Sequence, residues 1–199
     1  MSNLNIKDKK VKNSSVYTDK KLSKYLFDLI DKNYNFKTIL DPCIGEGGLS
    51  KYYNESDKYK VIGIDVNKEG EKHCDLFFNQ NIKELNLPDL KPDLIIMNPP
   101  FNGNRGGLLY PHLFLKNITE LYGEEIPIMM ITGDNFLNNN RLKSKRLIDI
   151  SNSNYQITTI ITLPLDVFEG VLFNTQVLFF NMDKLKPHYI YDISKNQLT

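Results

Sequence analysis

Six short apolar runs, each closing on a polar or turn residue, are the feature that most restricts what this chain can become: Thr38 to Leu40, Val61 to Ile64, Leu94 to Met97, Ile126 to Ile131, Ile157 to Leu163 and Gln176 to Phe180. Runs this short, bounded in this way, read as strands buried on both faces. Helical spacing fills several of the gaps, notably Tyr110 to Tyr122 and Leu142 to Ile150. Ahead of the first run, Leu22, Tyr25, Leu26, Leu29 and Ile30 recur at helical intervals, with Thr18 placed as an N-cap. Strands alternating with helices predict a mostly parallel sheet covered on both faces. Between the last two runs, residues 164–175 carry no pattern for a crossover helix, so that pair is expected to be antiparallel.

With 199 residues there is room for one substantial core. Residues 1–15 are polar and carry no apolar period, so they read as a flexible arm, leaving 16–199 as the folded domain. No internal repeat or interdomain linker interrupts that stretch.

A net charge of +1 provides no global field for holding phosphate, so contact with nucleic acid must use local groups. Two are visible: Lys7, Lys9, Lys10 and Lys12 near the start, and Arg141, Lys143, Lys145 and Arg146 after the fifth run. The second suits phosphate better, and solvated surface is the alternative for both. Cys43 and Cys74 are too far apart for a zinc-type pair and too few for a disulfide framework, which points to reduced thiols in a cytoplasmic protein and to no metal site. No run approaches the ~18 apolar residues that cross a membrane, and the opening residues lack a signal-peptide core.

Chemistry is concentrated where strands end. Thr38-Ile-Leu-Asp41-Pro42-Cys-Ile-Gly45-Glu-Gly47-Gly48 runs from a strand through a carboxylate into a glycine-rich turn before Leu49 opens a helix. Ligands of open α/β sheets sit at such carboxyl ends. The spacing is not that of a dinucleotide fingerprint, and Asp41 would repel a pyrophosphate but suits the ammonium of a methionine moiety. Val61-Ile-Gly-Ile-Asp65 ends in a carboxylate able to accept both hydroxyl protons of a ribose, with Val66 beside it. Asp75 offers a third acid for an adenine amino group, with Leu76 or Phe77 covering the ring; a turn or cap role is the alternative.

Asn98-Pro99-Pro100-Phe101, at the end of Leu94 to Met97, is the most specific string. Two prolines cannot continue a central strand, because neither has an N–H to donate. The tetrapeptide answers a chemical problem: the amino lone pair of adenine or cytosine is delocalised into its ring and is a poor nucleophile. If the Asn98 side-chain oxygen and the Pro99 carbonyl each accept an amino hydrogen, the nitrogen is pushed toward tetrahedral geometry and its lone pair is aimed. Positioning and charge stabilisation then suffice without a basic residue. His73, His112 and His188 accordingly read as surface or packing residues. Phe101 would stack on the base.

These motifs together resemble the S-adenosylmethionine-dependent amino-methyltransferases, and most closely the adenine-specific (N6) DNA methyltransferases of restriction-modification systems. The likeness spans residues 16–182. It implies a Rossmann-like, seven-stranded, mostly parallel sheet with helices on both faces and a terminal antiparallel hairpin. It implies S-adenosylmethionine as cofactor, held by Thr18, Asp41, Pro42, Gly45, Asp65, Val66, Asp75, Leu76 and Asn98, and catalysis by Asn98, Pro99, Pro100 and Phe101. Val16-Tyr-Thr18 resembles the motif that closes over the methionine carboxylate, so Thr18 has both a capping and a cofactor reading. The segment from Leu163 to Gly170 resembles the late motif whose aromatic residue covers the other face of a flipped base; Phe168 takes that role, with Phe173 as the alternative. Residues 102–110 read as a gating loop.

Only the tail 184–199 follows, so target choice is expected from the loops, from a separate specificity protein, or hardly at all. Nucleic acid is the expected partner, DNA before RNA. The motif does not separate a base from an RNA base or a protein glutamine, and a catalytically silent binding subunit of the same fold is the reading from another class.

Overall fold

The computed structural model describes residues 18–101, 109–138, 144–168, 171 and 173–191; the amino-terminal arm, the gating loop before Leu109, and Arg141 with Lys143 lie outside them. Among the described residues eight strands form: β1 Thr38–Asp41, β2 Lys60–Asp65, β3 Leu76–Asn79, β4 Leu94–Met97, β5 Ile128–Gly133, β6 Ile157–Leu163, β7 Thr175–Phe180 and β8 His188–Ile190. They make one sheet in the order β3-β2-β1-β4-β5-β7-β6-β8. β7 runs antiparallel to both neighbours, and every other pairing is parallel.

The mostly parallel α/β sheet with an antiparallel pair at its end is therefore what forms, with eight strands in place of seven. Two of them, β3 and β8, are edge strands with little burial, which weakens their signal in sequence. β7 is inserted between β5 and β6, so both of its edges are paired, and its alternate side chains enter the two core clusters, Val177 and Phe179 one and Leu178 and Phe180 the other, so its residues are all buried.

Alternation along the central strands sorts side chains onto two faces. Ile39, Val61, Leu94, Ile96, Met129, Ile131, Val177 and Phe179 share one cluster with Leu22, Leu26, Leu29 and Ile30 of α1 (Lys20–Asn33). Leu40, Ile62, Ile95, Met97, Ile128, Met130, Leu178 and Phe180 share the other with Phe114, Leu115 and Ile118 of α3 (Tyr110–Tyr122). The helix expected from Leu49 is one short turn, α2 (Lys51–Asn54), and α4 spans Lys145–Asn152.

Thr18 is not the cap of α1. The Asp19 carboxylate accepts from Lys21 N at 2.8 Å and Leu22 N at 3.4 Å, because the residue directly before the first turn reaches those amides and its charge suits the helix dipole.

Candidate active site

Parallel order places the ends of β1, β2 and β4 side by side, and period-two alternation selects the face. Asp41 lies two residues beyond Ile39, and Asn98 two beyond Ile96, so both are aligned with the face that α1 covers. Pro99 and Pro100 end β4 although it is flanked by β1 and β5, since neither proline can donate to a neighbour.

Asp41 is 1% exposed. Its Oδ1 accepts from Cys43 N at 3.2 Å. Burial, reinforced by the nearby charge of Asp65, pushes its pKa up to about 7. No cation among the described residues offsets that cost. A buried carboxylate without a cationic partner is a site that an ammonium group would complete.

The glycine turn is shaped by what stands against it. Gly47 has φ of +72°, and a Cβ there would stand 2.5 Å from the Cβ of His73. A Cβ on Gly48 would meet the Thr18 carbonyl oxygen at 3.2 Å. Gly47→Ala combines a left-handed backbone with that overlap, so it is expected to cost more than about 1 kcal/mol, read as a lower denaturant midpoint with an unchanged slope.

Asp65 is anchored by the backbone: Gly45 N donates to its Oδ2 at 2.9 Å and Asn67 N to its Oδ1 at 2.8 Å. Each carboxylate oxygen keeps accepting capacity. Val66, next to it, is 59% exposed. Pro42 is buried at the start of the turn.

Asp75 and Leu76 are placed elsewhere. Asp75 N donates to Val61 O at 2.9 Å, and its Oδ2 accepts from Val61 N at 2.7 Å. Val61 is near the entry of β2, whereas Asp65 is at its exit, about 13 Å further along an extended strand. Asp75 therefore ties β3 to the start of β2, and Leu76 opens β3 at that same end. The polar residue beside Asp65 is its register partner Asn79, whose amide donates to the Asp65 carbonyl at 3.0 Å and the Val66 carbonyl at 2.9 Å. The run Leu76-Phe-Phe-Asn79 carries an apolar-to-polar pattern like that of the other strands, but it is shorter than most and little buried.

In the loop after β4, Asn98 Nδ2 donates to Thr18 Oγ1 at 3.1 Å. The Asn98 backbone N–H faces the Cys43 thiol, which burial raises well above its ordinary pKa. Phe101, expected to stack on a base, is 8% exposed and instead packs edge-on against two rings, Phe168 at 5.8 Å and Phe173 at 5.7 Å between centroids. Phe168 is 3% exposed and belongs to the core, so it has no free face to offer a base; Phe173 is 41% exposed. Gly133, at the end of β5, makes room for it: a Cβ there would stand 3.0 Å from the Phe173 ring.

Arg146 does not reach solvent as a phosphate contact would. It is 8% exposed, its Nε donates to Phe136 O at 2.6 Å and its Nη2 to Asn135 O at 2.9 Å. Lys145 is exposed.

Truncating the two rings should separate their roles. Phe168→Ala is expected to destabilise the fold by about 3–5 kcal/mol, as emptied core positions do. Phe173→Ala should cost less than half as much in the same chemical denaturation measurement.

No family model matches this chain, and no curated protein matches it. Solved structures do. The type I restriction-modification methyltransferase subunit from Streptococcus thermophilus is 16% identical with a TM-score of 0.65, covering 92% of this chain and 50% of that one. The M protein of the type I restriction enzyme EcoKI is 17% identical with a TM-score of 0.61, covering 88% and 48%. The methyltransferase domain of the bacterial protein CtHen1-CN is 12% identical with a TM-score of 0.56, covering 81% and 97%. This chain thus spans about half the length of the type I subunits and nearly all of a methyltransferase domain. The fold is that of the methyltransferases, restriction-modification subunits among them.

Proposed function

We propose that this chain transfers a methyl group from S-adenosylmethionine to the N6 amino group of adenine in DNA. One observation carries the reading: the buried Asp41 turn and the Asn98 loop leave adjacent strands at the same end and on the same face of the sheet, with Thr18 touching both. The methyltransferase fold of the neighbours supports it, and those named as type I subunits favour DNA.

The residues present fit the cofactor. Asp41 supplies the buried anion for an ammonium, Gly45 and Pro42 belong to the turn that a ligand approaches, and Asp65 and Val66 at the end of β2 suit a ribose and an adenine ring. When bound, S-adenosylmethionine supplies a methyl group on a positively charged sulfur. The Asn98 side-chain oxygen and the Pro99 carbonyl accept the two amino hydrogens, localising the nitrogen lone pair. As the nitrogen takes on positive charge, the same two oxygens stabilise it, and the surplus proton leaves to water. Pro100 keeps the loop rigid after β4. Phe173 offers the exposed ring face for the base, backed by Phe101 and Phe168. A duplex adenine has to leave its stack to reach this place.

In this reading residues 16–199 act as one catalytic domain in the cytoplasm, and a separate specificity protein selects the target. Among the described residues, no helix is long and apolar enough to cross a membrane. The test is incubation with methyl-labelled cofactor and unmethylated DNA, RNA and protein, followed by mass spectrometry of each pool. N6-methyldeoxyadenosine is expected; label confined to RNA or to glutamine side chains would redirect the assignment.

A further inference from the structure

We infer that Asn135 reads the acceptor base: carried on a turn that the buried Arg146 braces, its side-chain amide donates to a ring nitrogen beside the amino group being methylated. The inference rests on the proposed transfer to adenine.

An open ring face and an open amide converge on one point. Gly133 ends β5 two residues beyond Ile131, so a Cβ there would project from the face that α1 covers, the face with which Asn98 is aligned. That position stands 3.0 Å from the Phe173 ring and 3.0 Å from Asn135 Oδ1. Phe173 in turn meets Phe101, in the loop after β4, at 5.7 Å, and β4 is the parallel neighbour of β5. A base that lies on the Phe173 ring with its amino group at Asn98 and Pro99 therefore turns an edge toward Asn135. The Asn135 side chain is exposed and has no hydrogen-bond partner among the described residues.

The turn beneath it is held firmly. Asp134–Phe136 form a single 3₁₀ turn. Arg146 Nη2 donates to Asn135 O at 2.9 Å and its Nε to Phe136 O at 2.6 Å, with the guanidinium 5.4 Å from the centre of the Phe136 ring. Asp134 N donates to Asn174 O at 2.9 Å, tying the turn to the residue after Phe173. Among the described residues no carboxylate forms an ion pair with Arg146, and burial pulls its pKa down. A guanidinium buried without a counter-charge adds little to stability, because desolvation offsets its hydrogen bonds. Its effect is geometric: it fixes the main chain that carries the Asn135 side chain.

The adenine amino group is flanked by two ring nitrogens, N1 and N7, which only accept. With both amino hydrogens taken by Asn98 and Pro99, a bond from Asn135 to one of these nitrogens stops the ring from pivoting about its amino group. A cytosine amino group has such a nitrogen on one side only, so a donor on the N7 side also rejects cytosine.

The test sets adenine against analogues that lack one acceptor. Unmethylated DNA is made with half of its adenines replaced by 7-deazaadenine or, in a second preparation, by 1-deazaadenine, and is supplied with methyl-labelled S-adenosylmethionine. The ratio of labelled nucleosides then reports the ratio of kcat/KM. In Asn135→Ala the preference for adenine over one analogue should drop by roughly 3- to 10-fold from that of the unsubstituted protein, the worth of one hydrogen bond. Asn135→Asp keeps the size, removes the donor and should lose at least as much. Arg146→Lys keeps the charge but cannot bridge both carbonyls, and should show a partial drop. A merely structural loss lowers the rate on adenine and analogue alike and leaves the ratio where it was.

Unchanged preferences over both analogues in Asn135→Ala would overturn the inference while methyl transfer still stands, and an undiminished preference in Arg146→Lys would overturn the bracing role. Absence of label from DNA with the unsubstituted protein would overturn the proposed function, and this inference with it.

Discussion

Asn98→Ala is expected to slow methyl transfer by about 10²- to 10³-fold, the usual cost of deleting one preorganised group at a site of developing charge. Cofactor affinity should stay within about threefold, well under the 1.4 kcal/mol that a tenfold change in Kd represents. The asymmetry follows from position. Asn98 ends β4, whereas the two carboxylates that the proposed reading gives to the cofactor's ammonium and ribose, Asp41 and Asp65, end β1 and β2 and are anchored by bonds such as Gly45 N to Asp65 Oδ2 at 2.9 Å that do not pass through Asn98. The Pro99 carbonyl is main chain and survives the substitution, which is why residual transfer is expected. Single-turnover rates with saturating cofactor, alongside calorimetric titration, separate the two quantities. Parallel losses in rate and affinity would mean that Asn98 supports the cofactor turn and does not grip the acceptor.

Asp41→Asn should produce effects of opposite sign on binding and stability. Binding of S-adenosylmethionine is expected to fall by at least two orders of magnitude, because the buried carboxylate is the group assigned to its ammonium. Stability should rise. In the folded chain the Asp41 pKa is raised from 3.8 to about 7, chiefly by burial and further by Asp65. A native state with the raised pKa binds more protons than the unfolded chain between those values, so stability falls as pH rises through that window.

Below pH 3.8 both states hold the proton and the group contributes nothing; above about 7 the full penalty stands, on the order of 4 kcal/mol for a carboxyl raised from 3.8 to about 7. The stabilisation gained in Asp41→Asn should therefore grow by roughly 1.4 kcal/mol per pH unit between about 4 and 7 and then level off. Denaturant melts of both proteins across pH 4 to 8 read this directly. A pH-independent difference would show that Asp41 is already paired in the folded chain. The same proton bears on binding: an ammonium favours the ionised carboxylate, so cofactor affinity should weaken by up to about tenfold per pH unit below 7.

Much of the fold was legible because the central strands are buried on both faces, leaving continuous apolar runs with polar endings. β3 and β8 were not, for a physical reason. An edge strand buries less, so Leu76–Asn79 reads equally well as a ring-covering segment and His188–Ile190 shows a single buried residue. The antiparallel character of Thr175–Phe180 follows from the missing crossover helix, yet its insertion between β5 and β6 depends on long-range strand pairing that no local pattern encodes.

The same division holds at the site. Asp41, Asp65 and Asn98 are strand-terminal residues, and parallel strands carry such residues to one end regardless of how far apart they lie in sequence. The two readings of Asp75, an adenine contact or a turn residue, do not separate in sequence, because a carboxylate before a strand and one after it look alike there while standing at opposite ends of the sheet. Phe168 and Phe173 are both aromatic residues in one loop; only burial, 3% against 41%, tells which keeps a face open. Arg146 belongs to a run of basic residues, but packing of α4 turns its guanidinium onto the carbonyls of Asn135 and Phe136. The bond from Asn98 to Thr18 joins a loop to a helix start and has no signature in sequence at all.

The most direct test supplies the protein with methyl-labelled S-adenosylmethionine and unmethylated DNA, then digests the DNA to nucleosides for mass spectrometry. Labelled N6-methyldeoxyadenosine, formed about 10²- to 10³-fold more slowly when Asn98→Ala replaces the original chain, is the predicted result. Label that never leaves the cofactor, or that enters DNA equally well without the Asn98 side chain, would contradict the account.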